Sequence, residues 1–328
     1  MEVDGDYGIL KAKKAGNATI TLTLYYEKGK SVKDTCDIAV VAAPYLTVSP
    51  QYKTLTLDGI TTKTLIIIST NMTGYSVDWI IDNPDIVTVS KTGSNLLVEA
   101  QGTGTATICI IVDDSSGTGL PLLANVYVTV KGVSRDFTFI GTVLSDNDFT
   151  SFMNDITFTY PLSFMGHGSG YWVSKVEPNN AKWFYDRSGL FIALAHGSQE
   201  SILLGNDPLY ASQIDSWQDN SLSHMKLVLY GSCSSGQGGI TAHNIVNSTY
   251  NKGAQTVIGF QDTVVIAHMN TWAKEFVKAA GDEYTIRNVE EACAEADFWV
   301  GFHHLFTHGG TDNRLIRGST EYCFINQR

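Results

Sequence analysis

No stretch of the 328 residues approaches the roughly eighteen uninterrupted apolar side chains that a membrane-crossing helix needs. Cysteine is scarce. The five, Cys36, Cys109, Cys233, Cys293 and Cys323, are scattered and form no CxxC pair. That argues against a disulfide-built scaffold and against a zinc site made from cysteines. A single Cys293–Cys323 bridge stays open. Basic residues are also few, 22 against 33 acidic ones, for a net charge of −11. Without a Lys/Arg stripe, such a chain repels phosphate backbones, so nucleic acid is not an expected partner. The imbalance falls mainly after Lys131, where 12 basic residues face 20 acidic ones, and it favours basic partners or substrates. The opening "MEVDGDYGIL" lacks the basic and apolar regions of a signal peptide. A mature or excised segment of a longer exported protein is compatible with that opening.

What is present divides into two grammars, and the length suits two or three domains. Up to Lys131 the chain reads as β. "ATITLTLYY" (18–26) and "VYVTV" (126–130) alternate and are rich in Thr, Val, Ile and Tyr, as half-buried antiparallel strands are. Turn clusters such as "EKGK" and "DDSSGTG" separate the runs. "KAGNATITL" (14–22) recurs as "GTGTATICI" (102–110), about 88 residues later. A repeat of that length is one β-sandwich domain used more than once. It puts Ile20 and Ile108 at equivalent inward positions, and Cys36 and Cys109 read as buried structural thiols.

"VDWIIDNPDIVTVS" followed by "GTGTATICI" resembles the bacterial immunoglobulin-like group 2 family. The resemblance implies a partial Ig-like unit over 1–43 and a complete one over 44–131. Such modules act as cell-surface spacers or adhesive units, which implies an extracellular or cell-surface location and a possible surface ligand.

After about Val133 continuous apolar runs, "GLFIALAHG", "HMKLVLYGSC" and "GAQTVIGFQD", alternate with helical patterns such as "HMNTWAKEFVKAAG" and "TIRNVEEACAEADFW". Strands apolar on both faces and separated by helices indicate a parallel sheet covered on two sides. Residues 132–328 are therefore expected to form an α/β domain. Two of the apolar runs stop at reactive side chains, His196 and Cys233. In an open parallel sheet, functional groups collect beyond the C-terminal strand ends. An imidazole can take a thiol proton and return it to a leaving amine. The small neighbours Gly197, Ser198, Gly231 and Ser232 leave room for a substrate backbone. Backbone N–H groups of Gly197 and Cys233 are the natural oxyanion donors.

An apolar run ending in His-Gly, then one ending in x-Cys, is similar to the clan CD cysteine peptidases, which include caspases, gingipains, clostripain and CHAT domains. The resemblance covers about residues 185–298. It implies a caspase-like fold for 132–328, with His196 as base, Cys233 as nucleophile and Gly197 in the oxyanion site. Gln261 and Asp262, just past "TVIGF", fall where substrate-pocket residues often lie, and Asp262 there would select Arg or Lys; helix capping is its alternative role. No acidic third member is evident, and the chemistry needs neither metal nor other cofactor. "SFMGHGSGYW" offers His167 as a second candidate base, but its apolar lead-in is short and Pro161 interrupts it. The expectation is a secreted or surface cysteine endopeptidase acting on protein or peptide substrates. The alternative is a surface adhesin or spacer with a catalytically silent caspase-like domain.

Other candidates read more simply. His304 and His308 have helical i, i+4 spacing, but no HExxH glutamate accompanies them, so His303, His304 and His308 read as a terminal loop or packing helix. Asp207, Asp215 and Asp219 read as a solvated loop, with a calcium site or part of a basic-residue specificity pocket as lesser readings.

Overall fold

The structure, a computed structural model, describes residues 2–4, 9–57, 62–114, 120–132, 137–154, 170–173, 176–280, 288–304 and 307–320. It divides into two compact units, one of Met1–Val48, Ile68–Asp78 and Ile110–Ala124, the other of Ser49–Ile67, Trp79–Cys109 and Asn125–Arg328.

The first unit opens with the short pair β1 (Glu2–Asp4) and β2 (Ile9–Lys11). A long hairpin follows, β3 (Gly16–Tyr26) against β4 (Lys30–Val40), reversed at Lys28 and Gly29, both with positive φ. The register sets Ile20 against Cys36 and Leu24 against Val32 on one face. Among the described residues no third strand joins the hairpin. That corrects two expectations. Cys36 is exposed rather than buried, because no second sheet covers it. Ile20 is half-buried while Ile108 is fully buried, so the two repeat positions are not equivalent.

The second unit holds most of an eight-stranded sandwich. Its strands are β5 (Leu46–Ser49), β6 (Tyr52–Thr56), β7 (Lys63–Thr70), β8 (Tyr75–Ile81), β9 (Val87–Thr92), β10 (Asn95–Ala100), β11 (Gly104–Asp114) and β12 (Leu122–Lys131). They form two sheets, β5-β7-β10-β9 and β6-β12-β11-β8. Period-two alternation turns one face of each sheet inward. Leu55, Ile66, Leu96, Val98, Ile108 and Val128 are buried accordingly. Cys109, between the inward Ile108 and Ile110, points to the other face and is half-buried.

The rest of this unit is α/β. Its elements are β13 (Phe137–Gly141), α1 (Asp146–Asn154), β14 (Gly170–Val173), α2 (Pro178–Asp186), β15 (Leu190–Leu194), β16 (Gly197–Ser198), β17 (Ser201–Ile202), β18 (Leu209–Tyr210) and α3 (Ala211–Asp215). Then come β19 (Leu227–Gly231), α4 (Ile245–Asn251), β20 (Thr256–Phe260), α5 (Ile266–Ala280), α6 (Val289–His303) and β21 (Arg314–Gly318). The main sheet runs β14-β13-β15-β19-β20-β21, parallel except for the antiparallel edge strand β21. Residues 137–141 and 170–173, which the sequence left unplaced, complete this sheet. β13, β15, β19 and β20 are buried end to end, as a parallel sheet covered on both faces requires. Leu190, Ile192, Leu194, Leu227 and Leu229 pack toward Trp272, Phe276 and Cys293 of α5 and α6. Phe191, Ala193, Val228 and Tyr230 pack toward Ala181, Ile214 and Ile245 of α2, α3 and α4. Strand alternation therefore decides which layer each side chain enters.

The sandwich meets α2 through Asp186, which is buried. Its carboxylate accepts from Thr103 N–H (3.2 Å) and Thr103 Oγ1 (2.5 Å), and it pairs with Lys182 at 2.7 Å.

Candidate active site

β15 and β19 are adjacent and parallel, with Leu194 opposite Gly231. Ala195 N–H extends the pairing by donating to Gly231 O at 3.2 Å. His196 stands two residues past Leu194, and Cys233 two residues past Gly231. The register thus delivers both to the same row at the C-terminal edge. Continued alternation sends both toward the α5 side, where Cys233 packs on the core that holds Leu194 and Leu229. His196 is exposed and Cys233 half-buried, and both line one cavity of about 100 Å³.

The thiol is held from β20's side. Val264 N–H donates to Cys233 Sγ at 3.4 Å, and Sγ donates to Val264 O at 3.7 Å. The turn carrying Cys233 is fastened beneath. Ser235 Oγ donates to Ser232 O (3.1 Å) and accepts from Phe260 N–H (3.0 Å). Ser234, at φ 56, adopts the left-handed conformation, and its N–H reaches Asp262 O at 3.0 Å. Gly236 N–H reaches Phe260 O at 2.8 Å. Farther along, Asn244 caps α4 by accepting from Asn247 N–H, and its amide donates to Gln237 O and Gly239 O. The loop after the thiol is therefore rigid on both sides.

Two backbone N–H groups lie at this carboxyl edge. Leu203 N–H bonds to His196 O at 2.8 Å, and Gly197 lies opposite Ile202 in the next rung. Antiparallel rungs alternate between bonded and non-bonded pairs, so Gly197 N–H turns away from β17. Cys233 N–H has no backbone partner among the described residues. Ser232 presses on Gly197: a Cβ there would lie 2.7 Å from Ser232 Oγ and 2.8 Å from Ser232 Cβ. Among the described residues, Ser232 Oγ is buried without a hydrogen-bond partner. The sequence marked Ser232 only as a small neighbour of Cys233 and did not mark Val264; the tertiary structure gives both their contacts.

No ion pair joins the His196 imidazole to a carboxylate among the described residues. Gln261 and Asp262 do follow β20 directly, but neither lines the cavity. Gln261 bonds to Asn313 through both backbone and side chain, and the exposed Asp262 carboxylate accepts from Asn313 Nδ2. α5 starts at Ile266, so Asp262 does not cap it either. Asp262 is thus no desolvated pocket floor. The rival His167 and the bridge partner Cys323 lie outside the described residues. Cys293 is buried on the inner face of α6, and burial pushes its thiol up to about 12.

The remaining histidines resolve into local roles. α6 ends at His303, so His304 and His308 do not share its face. His304 packs on His268 at 3.9 Å and bonds to Thr271; burial, then the His268 and His303 charges, lowers its pKa. His243 bridges Asp215 (2.7 Å) and Glu200 (3.4 Å), and those hydrogen bonds raise its pKa, Asp215 contributing most. Asp215 and Asp219 are solvated as expected, although Asp215 ends α3 rather than lying in a loop. Among the described residues, no three His, Cys, Asp or Glu side chains are arranged to hold a metal ion.

Residues 42–120 match the bacterial Ig-like domain (group 2) family, so the sandwich is Ig-like. Among solved structures, the chain is similar to the Arg-specific cysteine proteinase gingipain R at 13% identity and a TM-score of 0.47. That match covers 58% of this chain and 48% of that one. A complex of Porphyromonas gingivalis gingipain pro- and mature domains matches at 13% identity and a TM-score of 0.47, over 59% and 48% of the two chains. The Saccharomyces cerevisiae separase–securin complex matches at 14% identity and a TM-score of 0.41, over 57% of this chain and 12% of that one. The chain thus spans about half the length of the gingipain chains it resembles. No curated protein matches the sequence.

Proposed function

We propose that the C-terminal α/β domain is a cysteine endopeptidase working through Cys233 and His196. The observation that carries this reading is the Leu194–Gly231 register, which brings a thiol and an exposed imidazole to one cavity at the carboxyl edge of a parallel sheet. His196 takes the proton from Cys233, and the thiolate sulfur attacks a peptide carbonyl carbon. The tetrahedral oxyanion accepts hydrogen bonds from Gly197 and Cys233 N–H. The C–N bond then breaks, with the leaving amine receiving the proton from His196, and a thioester remains. Water, giving up a proton to His196, adds to the thioester, and Cys233 leaves as the acid product forms. Val264 N–H keeps the sulfur in place throughout, since it can donate to either thiol or thiolate.

The Ig-like sandwich supports export, because bacterial modules of this kind are typical of extracellular or surface proteins. No helix among the described residues is long and apolar enough to cross a membrane. In this reading the chain is a surface or secreted enzyme that meets protein or peptide substrates, with the Ig-like part as spacer or surface-binding module. The test is incubation with a peptidyl acyloxymethyl ketone, followed by mass spectrometry. Selective labelling of Cys233, lost in His196→Ala, is expected. A native protein that leaves Cys233 unlabelled while its exposed Cys36 reacts would mark the domain as catalytically silent.

A further inference from the structure

The cavity beside the thiol has a character of its own. Val143, Leu144, Leu194, Val264, Ile266 and Met269 line it, and among the described residues His196 is the only ionisable side chain there besides Cys233. Asp262, two residues before Val264, is exposed and bound to Asn313. Sγ rests against Val264, part of the cavity wall. In a thioester the acyl carbon is bonded to Sγ, and the substrate side chain branches from the very next carbon. This cavity, which the sulfur itself lines, is then the enclosed space beside that side chain.

Resting on the peptidase reading, we propose that the enzyme cleaves after aliphatic residues of Val, Leu or Met size, whose side chain fills this cavity. Burying such a chain against Leu144, Ile266 and Met269 is favourable. A guanidinium would lose its water there and meet no carboxylate among the described lining residues, and a carboxylate would meet only His196, which the chemistry itself uses. The volume of about 100 Å³ is below the roughly 150 Å³ that accommodates a benzene ring, so aromatic side chains fit less well. Ile266 is the specificity residue most open to change. It is 43% exposed and is the first residue of α5, a position where an acid is compatible with the helix dipole.

The test is kcat/KM of the 328-residue chain on matched peptides that differ only in Leu, Met, Val, Phe, Arg or Asp before the scissile bond. Leu and Met should exceed Arg and Asp by about 100-fold, the scale on which pocket chemistry discriminates. Ile266→Asp should lower the Leu rate about tenfold and raise the Arg rate. Wild-type preference for Arg or Asp, a flat profile, or an Ile266→Asp variant with an unchanged Leu/Arg ratio would overturn the inference. Cleavage after Arg that still requires Cys233 would remove this specificity alone. If no peptide is cleaved and no peptidyl electrophile labels Cys233, the peptidase reading falls and takes this inference with it.

Discussion

Replacing Gly197 with alanine tests the oxyanion geometry most directly. Gly197 has no positive φ, so its backbone tolerates alanine and only the surroundings object. The added Cβ would meet Ser232 Oγ at 2.7 Å, Ser232 Cβ at 2.8 Å and Ser201 O at 3.1 Å. Ser232 is fully buried at the end of β19 and cannot swing away, so β16 must give by a few tenths of an ångström. Overpacking of this kind costs about 1–3 kcal/mol of stability. In the proposed mechanism the same shift displaces the Gly197 N–H from the developing oxyanion, and loss of one such donor costs about 10²–10³ in kcat. The expected result is a modest fall in Tm, a large fall in kcat, and little change in KM or in alkylation of Cys233 by iodoacetamide. Adding Ser232→Gly should restore part of kcat, because it removes both short contacts; a double-mutant cycle measures that coupling. If Gly197→Ala lowers Tm but leaves kcat within about threefold of wild type, its N–H is not the donor that the rung geometry implies.

Two further outcomes follow from the surroundings of the site. His243, raised by Asp215 and then Glu200, ties the loop after Cys233 to the β16–β17 turn and α3. Its contribution should be fully present below the unfolded histidine pKa of about 6.5 and fade as pH rises through the higher folded value. Tm of wild type minus Tm of His243→Gln, followed from pH 5 to 9, should therefore shrink toward alkaline pH; a constant difference would refute the ion-pair account. Beneath the sheet, Tyr230 Oη bridges Tyr185 Oη (2.6 Å) and Thr249 Oγ1 (2.7 Å) in a fully buried row. Tyr230→Phe leaves those partners short of a hydrogen bond and should cost about 1–3 kcal/mol by urea denaturation. A change below about 0.5 kcal/mol would show that Tyr185 and Thr249 find other partners.

The sequence alone settled the periodicities. "LFIAL" and "LVLYG" are apolar at every position because each strand is covered on both faces, and such runs are legible without coordinates. The reactive residues at their ends were legible for the same reason, since a parallel strand stops where His196 and Cys233 begin. The alternation of 126–130 marked a half-buried sandwich strand equally well. What the sequence could not supply was register and closure. Leu194 opposite Gly231, Val264 against Sγ and Ser232 against Gly197 are contacts between segments tens of residues apart, and local pattern carries no record of them. The same limit explains the misplacements. Asp262 sits next to the site along the chain, yet Asn313, brought in at the foot of the antiparallel edge strand, holds its carboxylate in solvent. Ile20 and Cys36 repeat the local motif of a buried strand, but burial is conferred by an opposing sheet. For β3 and β4 the described residues supply none, so the tertiary structure leaves that face open.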